Sequence, residues 1–445
     1  MLLLLWAWLT ASTARASSLA DTVWLEMRLL GQGYQTRTVA GQLIDRRRIS
    51  QWVSLRAVRL LGMDGLQLGL QLRIDSDLAA GAELQAGEED LVDLLAAYAS
   101  MRDLFGRLDV TLGRQLLLDE LGFAQLDGLS AEGRLPGGLV LGVQCGLDVR
   151  DRTWLGEEIV ELDGVESGEV PAAVLGASLG FQRSWLWAGV QYRRTMLWAE
   201  GWPLDDERLG GSASLRLADG TLGLDAGAAY HLARDRLERL RADGFARCDL
   251  GRAGSLRIEL GLLHERPLFA LDSIFNFFSP APFGELHAGL RWDAGEVLSV
   301  RAASFHRLYR EADDDASFRG GTVHGGRLEG RLALGRGGHA SASASFEQGE
   351  TGLRWLLCPA LRWILMDGRL QLDARALAIG SQDPVQESLS AVTLGSSAGA
   401  TWRFRRDQAV HATAELNGNR LNPLQFRLLV VLDLAFGLGA GGGET

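Results

Sequence analysis

The chain has 445 residues, 47% of them hydrophobic, and 45 basic side chains, every one an arginine, against 56 acidic ones. That hydrophobic share excludes a disordered chain. Beyond Leu2–Leu9 no apolar run approaches the roughly 20 residues of a membrane helix. The net charge of −11 speaks against a nucleic-acid partner, and 56 Gly beside 9 Pro points to many turns with few rigid kinks. Length alone suggests about three domains, of a large soluble β-protein or of a membrane barrel.

In chain order, the apolar Leu2–Leu9, the polar Thr10–Thr13 and the small residues Ala14 and Ala16 predict a secretory signal peptide over 1–16. Cys145, Cys248 and Cys358 lie about a hundred residues apart in no C-x-x-C pattern, so no disulfide framework is expected. From Val23 onward the period is two. In Leu66–Asp75, Leu66, Leu68, Leu70, Leu72 and Ile74 alternate with Gln67, Gly69, Gln71, Arg73 and Asp75. Successive strand side chains point to opposite faces, so this is a strand apolar on one side and polar on the other. The pattern returns at 222–231, 256–262, 370–378 and 424–436.

The connections alternate in length. Short turns, several built on Asp-Gly or other Gly pairs, fall near 62–65, 103–106, 136–138, 182–184, 219–220, 251–254, 293–296, 335–338, 367–369 and 405–407. Generally longer polar segments fall near 33–48, 77–92, 117–126, 151–170, 196–209, 232–242, 264–283, 307–321, 348–352, 380–389 and 418–423. Those 21 connections give a best count of 22 strands, within a range of 18–22. Short turns on one side and long loops on the other are the signature of an outer-membrane barrel. The fold expected is all-β: one transmembrane antiparallel up-and-down β-barrel over 17–436, with periplasmic termini and a flexible tail over 437–445. Phe105, Phe181, Trp185, Trp292, Trp363 and Phe404, beside the short turns, form the expected aromatic girdle. Trp185 and Trp187 fall on the lumen face, against that simple scheme.

A barrel of this size leaves a lumen unless something folds into it, and the early first strand leaves no room for an N-terminal plug. Parity turns Arg73, Arg134, Arg216, Arg257, Arg327, Arg354 and Arg375 inward with Asp225, Glu259 and Asp373. They either form a guanidinium ladder for polar and anionic solutes or neutralise one another along a wet wall. The outer loops are acidic at Glu88–Asp90, Glu157–Glu158, Asp205–Glu207 and Asp313–Asp315. Loop 264–283 is instead aromatic, and Phe275, Phe277, Phe278 and Phe283 are the expected constriction.

No catalytic motif has its required setting. Gly176–Gly180 and Gly395–Gly399 both read G-x-S-x-G, around Ser178 and Ser397, but inside alternating strands instead of a strand-to-helix turn. The seven histidines form no H-x-x-x-H or H-E-x-x-H pair, so neither metal nor cofactor is expected.

Leu112-Gly113-Arg114-Gln115, followed by Leu126-Asp127-Gly128-Leu129, resembles the L-G-R-Q … D-G segment of large bacterial outer-membrane porins, including alginate-export-type barrels. The resemblance spans about 40 residues. It implies that Arg114 and Gln115 lie near the pore wall and that Asp127-Gly128 opens the next strand, whereas strict parity turns Arg114 to lipid unless a bulge or strand end intervenes. The terminal aromatic usual in such barrels is Phe436, here followed by 437–445. The expected function is passive passage of small polar solutes, anions included, through a non-enzymatic channel in the bacterial outer membrane. Its expected partners are outer-membrane lipid and lipopolysaccharide, the barrel-assembly machinery and the solute. A dedicated exporter or receptor for an anionic polysaccharide, a barrel enzyme, a sealed structural barrel and a soluble periplasmic protein are the alternatives.

Overall fold

The computed structural model describes residues 20–37, 43–77, 91–149, 171–198, 201–266, 282–309, 321–335, 337–349, 352–382, 391–418 and 425–439. Among them are 22 antiparallel strands in one sheet, each paired with the next in sequence, and β1 (Ala20–Arg37) also pairs with β22 (Gln425–Gly439) to close the barrel. The closing register runs from Thr22 opposite Gly439 to Tyr34 opposite Arg427. β22 therefore takes up the first three residues of the expected tail.

The other strands are β2 (Leu43–Leu60), β3 (Leu66–Asp77), β4 (Leu91–Leu104), β5 (Leu108–Asp119), β6 (Gly122–Arg134), β7 (Leu139–Asp148), β8 (Ala172–Gln182), β9 (Leu186–Leu197), β10 (Leu204–Leu217) and β11 (Leu222–His231). They continue with β12 (Arg236–Asp249), β13 (Ser255–Glu265), β14 (Phe283–Ala294), β15 (Leu298–Tyr309), β16 (Gly321–Ala333), β17 (His339–Gly349), β18 (Gly352–Leu365), β19 (Leu370–Gln382), β20 (Ala391–Arg405) and β21 (Gln408–Gly418). All ten short turns stand where the turn residues predict them. Two of them reuse one conformation: Ala218-Asp219-Gly220 and Met366-Asp367-Gly368 each place three successive residues at positive φ, which the final Gly tolerates without strain. Strands extend further than expected at the outer end, to Arg37, Asp119 and from Arg236, because the polar residues there hide a period of two.

The two faces differ as their composition requires. One face keeps large apolar side chains exposed on strand after strand, among them Leu141, Leu179, Leu260, Leu290, Leu328 and Leu394. In water each would forgo on the order of 1 kcal/mol or more of burial; a lipid exterior removes that penalty. Phe105, Trp292, Trp363 and Phe404 are exposed at the turn end, as a girdle requires. The opposite face carries Arg, Asp, Glu, Ser and Gly and encloses the lumen.

Candidate functional site: a constricted, arginine-lined lumen

Five residues before its tip, β5 leaves the wall. Its pairing with β4 ends at Ala97 opposite Arg114, while its pairing with β6 continues to Asp119 opposite Gly122. The hairpin over 115–125 thus peels inward. Gly113 permits this with φ of +116°, and a Cβ there would sit 2.3 Å from the Ala97 carbonyl oxygen. Gly128 and Gly146 cross so closely that a Cβ on Gly128 would meet the Cys145 carbonyl oxygen at 2.1 Å.

Buried backbone groups abandoned by a strand need new partners. Gln125 Nε2 donates to the Leu95 carbonyl at 2.7 Å, and Arg114 Nη1 to that of Leu94 at 3.1 Å. The rest of the Arg114 fork holds Asp127 in a bidentate pair at 2.7 and 2.6 Å, the stronger form of such a contact. The clash between Arg114 and strict parity is thereby resolved: β5 turns at Gly113, and Arg114 closes the seam that the departing hairpin leaves.

The tip docks inside the barrel on strands that are not its neighbours, three to six places further round the wall. Asp119 accepts from Arg193 on β9 at 2.5 Å, and the Glu120 carbonyl from Arg239 on β12 at 2.5 Å. The Leu121 carbonyl accepts from Arg208 on β10 at 3.3 Å. Leu121 is buried against Gly210, where a Cβ would come within 2.6 Å of the leucine. Arg208 is held by Asp206 at 2.9 Å, and Asp206 also meets the buried His231 at 3.1 Å. Asp205–Glu207, expected in a loop, therefore opens β10, with Asp206 supporting the dock. Open barrels bury little, yet Leu121, Leu126, Ala172, Arg193, Thr195 and His231 are all buried in this region. Leu116 and Leu118 stay exposed on the hairpin.

The aromatic loop expected to constrict the lumen, with Phe275, Phe277 and Phe278, lies outside the described residues. Phe283 is described: buried at the start of β14, it lies under the Arg307 guanidinium, 4.8 Å from the ring centre, beside Tyr309. Among the described residues, the segment that folds into the lumen is 117–126, whose sequence reads as a polar loop. Sequence pattern does not single out Asp119, Glu120, Leu121, Gln125, Arg208 or Arg239. The legible signal is Arg114, a charge on the wrong parity beside a glycine.

Below the dock the wall is basic. Arg247, Arg257, Arg291 and Arg301 stand directly opposite one another on β12 to β15, and Glu329 ends the row. Like charges so placed repel. Glu259 relieves two of them, forming an ion pair with Arg257 at 2.8 Å and accepting from Arg301 at 2.8 Å, and Asp293 relieves a third, accepting from Arg291 at 3.0 Å. The Phe245 ring lies between two guanidinium groups, 3.8 Å from Arg257 and 5.3 Å from Arg216. Beside the row, a recess of about 520 Å³ is lined by Arg291, Arg301, Arg331, Arg375, Ser343 and Cys358 among others.

The remaining predicted residues mostly sit in local pairs. Arg73 pairs with Asp75 at 3.0 Å, Arg216 with Asp225 at 2.8 Å, and Arg327 with Glu329 at 2.5 Å. Asp373 pairs with Arg362 at 2.6 Å. Arg134 binds Asp103 and Asp109 at the turn end, and Arg375 donates to Cys358 Sγ at 2.9 Å. Arg354 stands opposite Glu347 in register. Ser178 and Ser397 lie within β8 and β20, in neither case on a strand-to-helix turn.

Two solved structures share this architecture. The siderophore receptor PirA from Pseudomonas aeruginosa aligns at a TM-score of 0.56 and 11% identity over 93% of this chain and 80% of its own. The chain has the fold of an outer-membrane barrel. A mutant form of the ferric enterobactin receptor PfeA, also from Pseudomonas aeruginosa, gives 0.57 and 13% over 94% and 80%. OccAB4 from Acinetobacter baumannii spans 95% of this chain and all of its own at 8% identity and a TM-score of 0.46. No family model matches the chain, and no curated protein matches it.

Proposed function

We propose that this barrel is an outer-membrane channel for passive passage of small polar solutes, with a preference for anions, and no enzyme. The observation that carries the reading is the unbalanced row Arg247–Arg257–Arg291–Arg301, four cations against Glu259 and Asp293, with Glu329 at its end already taken by Arg327, in a lumen that the hairpin enters. Fixed positive charge on a low-dielectric wall concentrates anions and repels cations. In this reading Arg216, Arg257 and Arg375, with Asp225, Glu259 and Asp373 as counter-charges, line the path. The girdle and the apolar exterior meet outer-membrane lipid. A second reading, passage of an acidic oligosaccharide, is favoured by Phe245 between Arg216 and Arg257, where a sugar face and a carboxylate would both find partners.

Planar-bilayer recording with the purified full-length protein tests both. Discrete conductance steps with a reversal potential displaced toward chloride are expected under a KCl gradient. Absence of any conductance would make it a sealed structural barrel and end the proposal. Current block by an added acidic oligosaccharide, and not by a neutral one of equal length, would select the second reading.

A further inference from the structure

On the membrane-facing side, His306 of β15 and His324 of β16 are direct cross-strand partners. Their Nδ1 atoms are 2.8 Å apart while the ring centres are 4.4 Å apart, so the rings converge at their Nδ1 edges. His324 is exposed and His306 half-buried, and β16 begins at Gly321, only three residues before His324, which puts the pair at the outer end of the strands. The next strand offers Gln348 opposite His324. The two histidines are 18 residues apart in sequence, which is why local spacing does not pair them.

From this geometry we infer a divalent transition-metal site of the copper(II) or nickel(II) type, chelated by His306 and His324 through Nδ1. A metal bonded to both nitrogens at about 2.0–2.1 Å, with those atoms 2.8 Å apart, subtends an angle of about 86°. That is the adjacent-ligand angle of a square-planar or octahedral ion. Tetrahedral zinc, near 109°, would need nitrogens about 3.3 Å apart. No third His, Cys, Asp or Glu completes a cluster among the described residues, so water fills the remaining positions at this exposed rim. Binding uses the lone pairs of both Nδ1 atoms, so the proton on the donor ring's Nδ1 moves to its free Nε2, and the bound ion clips β15 to β16 at their outer end.

The test uses untagged full-length protein in detergent, titrated with copper(II), nickel(II) and zinc(II), each alone. It is read by calorimetry and, for copper, by electron paramagnetic resonance. One ion per barrel, with nitrogen coupling from two imidazoles, is expected. His306→Ala and His324→Gln should each weaken binding by roughly tenfold or more, with heat-modifiable gel mobility confirming an intact barrel. Tighter binding of zinc than of copper or nickel, survival of binding in the double variant, or a copper spectrum lacking nitrogen coupling would overturn the inference.

Discussion

Asp119 and Arg193 join the hairpin tip to the wall across 74 residues of sequence, and their burial sets them apart from the other ion pairs. Arg28 and Asp433, at 2.6 Å across the closing strands, are 63% and 43% exposed, and such a pair is worth about 0–1 kcal/mol. Arg193 and Asp119 are 7% and 17% exposed, and removing one partner of a buried pair costs about 3–5 kcal/mol because the other is left uncompensated. Arg193→Ala should therefore release the tip and raise single-channel conductance, while folded-barrel gel mobility stays the same. Unchanged conductance would show that the hairpin does not limit flow. The inward face of Arg193 is legible from its parity. Its partner is not, since a contact between β9 and the β5–β6 tip follows from the bend at Gly113 and not from any local pattern.

At the scale of the element, the hairpin depends on glycines where its strands bend and cross. Gly128→Ala would drive a methyl into the Cys145 carbonyl, a backbone atom that cannot swing aside, so β6 and β7 should separate and the heat-resistant barrel fail to form. Gly133→Ala is the matched control on the same strand: the nearest atom to its Cβ is 4.0 Å away, and normal folding is expected. Folding of both variants, read by gel mobility and thermal melting, would show that the close crossing is not required. Elements are the most legible level of this chain. Asp219-Gly220 and Asp367-Gly368 announce their turns because turn chemistry is local, and Leu66–Asp75 announces its strand because a lipid face and a wet face impose a period of two. The hairpin reads as a loop because Asp119, Glu120 and Gln125 are polar on a stretch where neither face meets lipid.

For the whole molecule, the three domains suggested by length become one closed sheet, and the net charge of −11 conceals a lumen row of opposite sign. That row acts through solvent, so its effect must fade with salt. Screening lengths are about 10 Å at 0.1 M and about 3 Å at 1 M. The chloride-to-potassium permeability ratio should fall toward one between these concentrations; a ratio independent of salt would locate selectivity in the constriction instead. The same long view changes where the wall gives way. The first and last strands meet along a ladder unbroken from Thr22 to Tyr34, whereas β4 and β5 part at Ala97 and are bridged above it by the side chains of Arg114 and Gln125. Under load, a tear would start there, in the first third of the sequence, and the seam between the first and last strands would be among the last places to open.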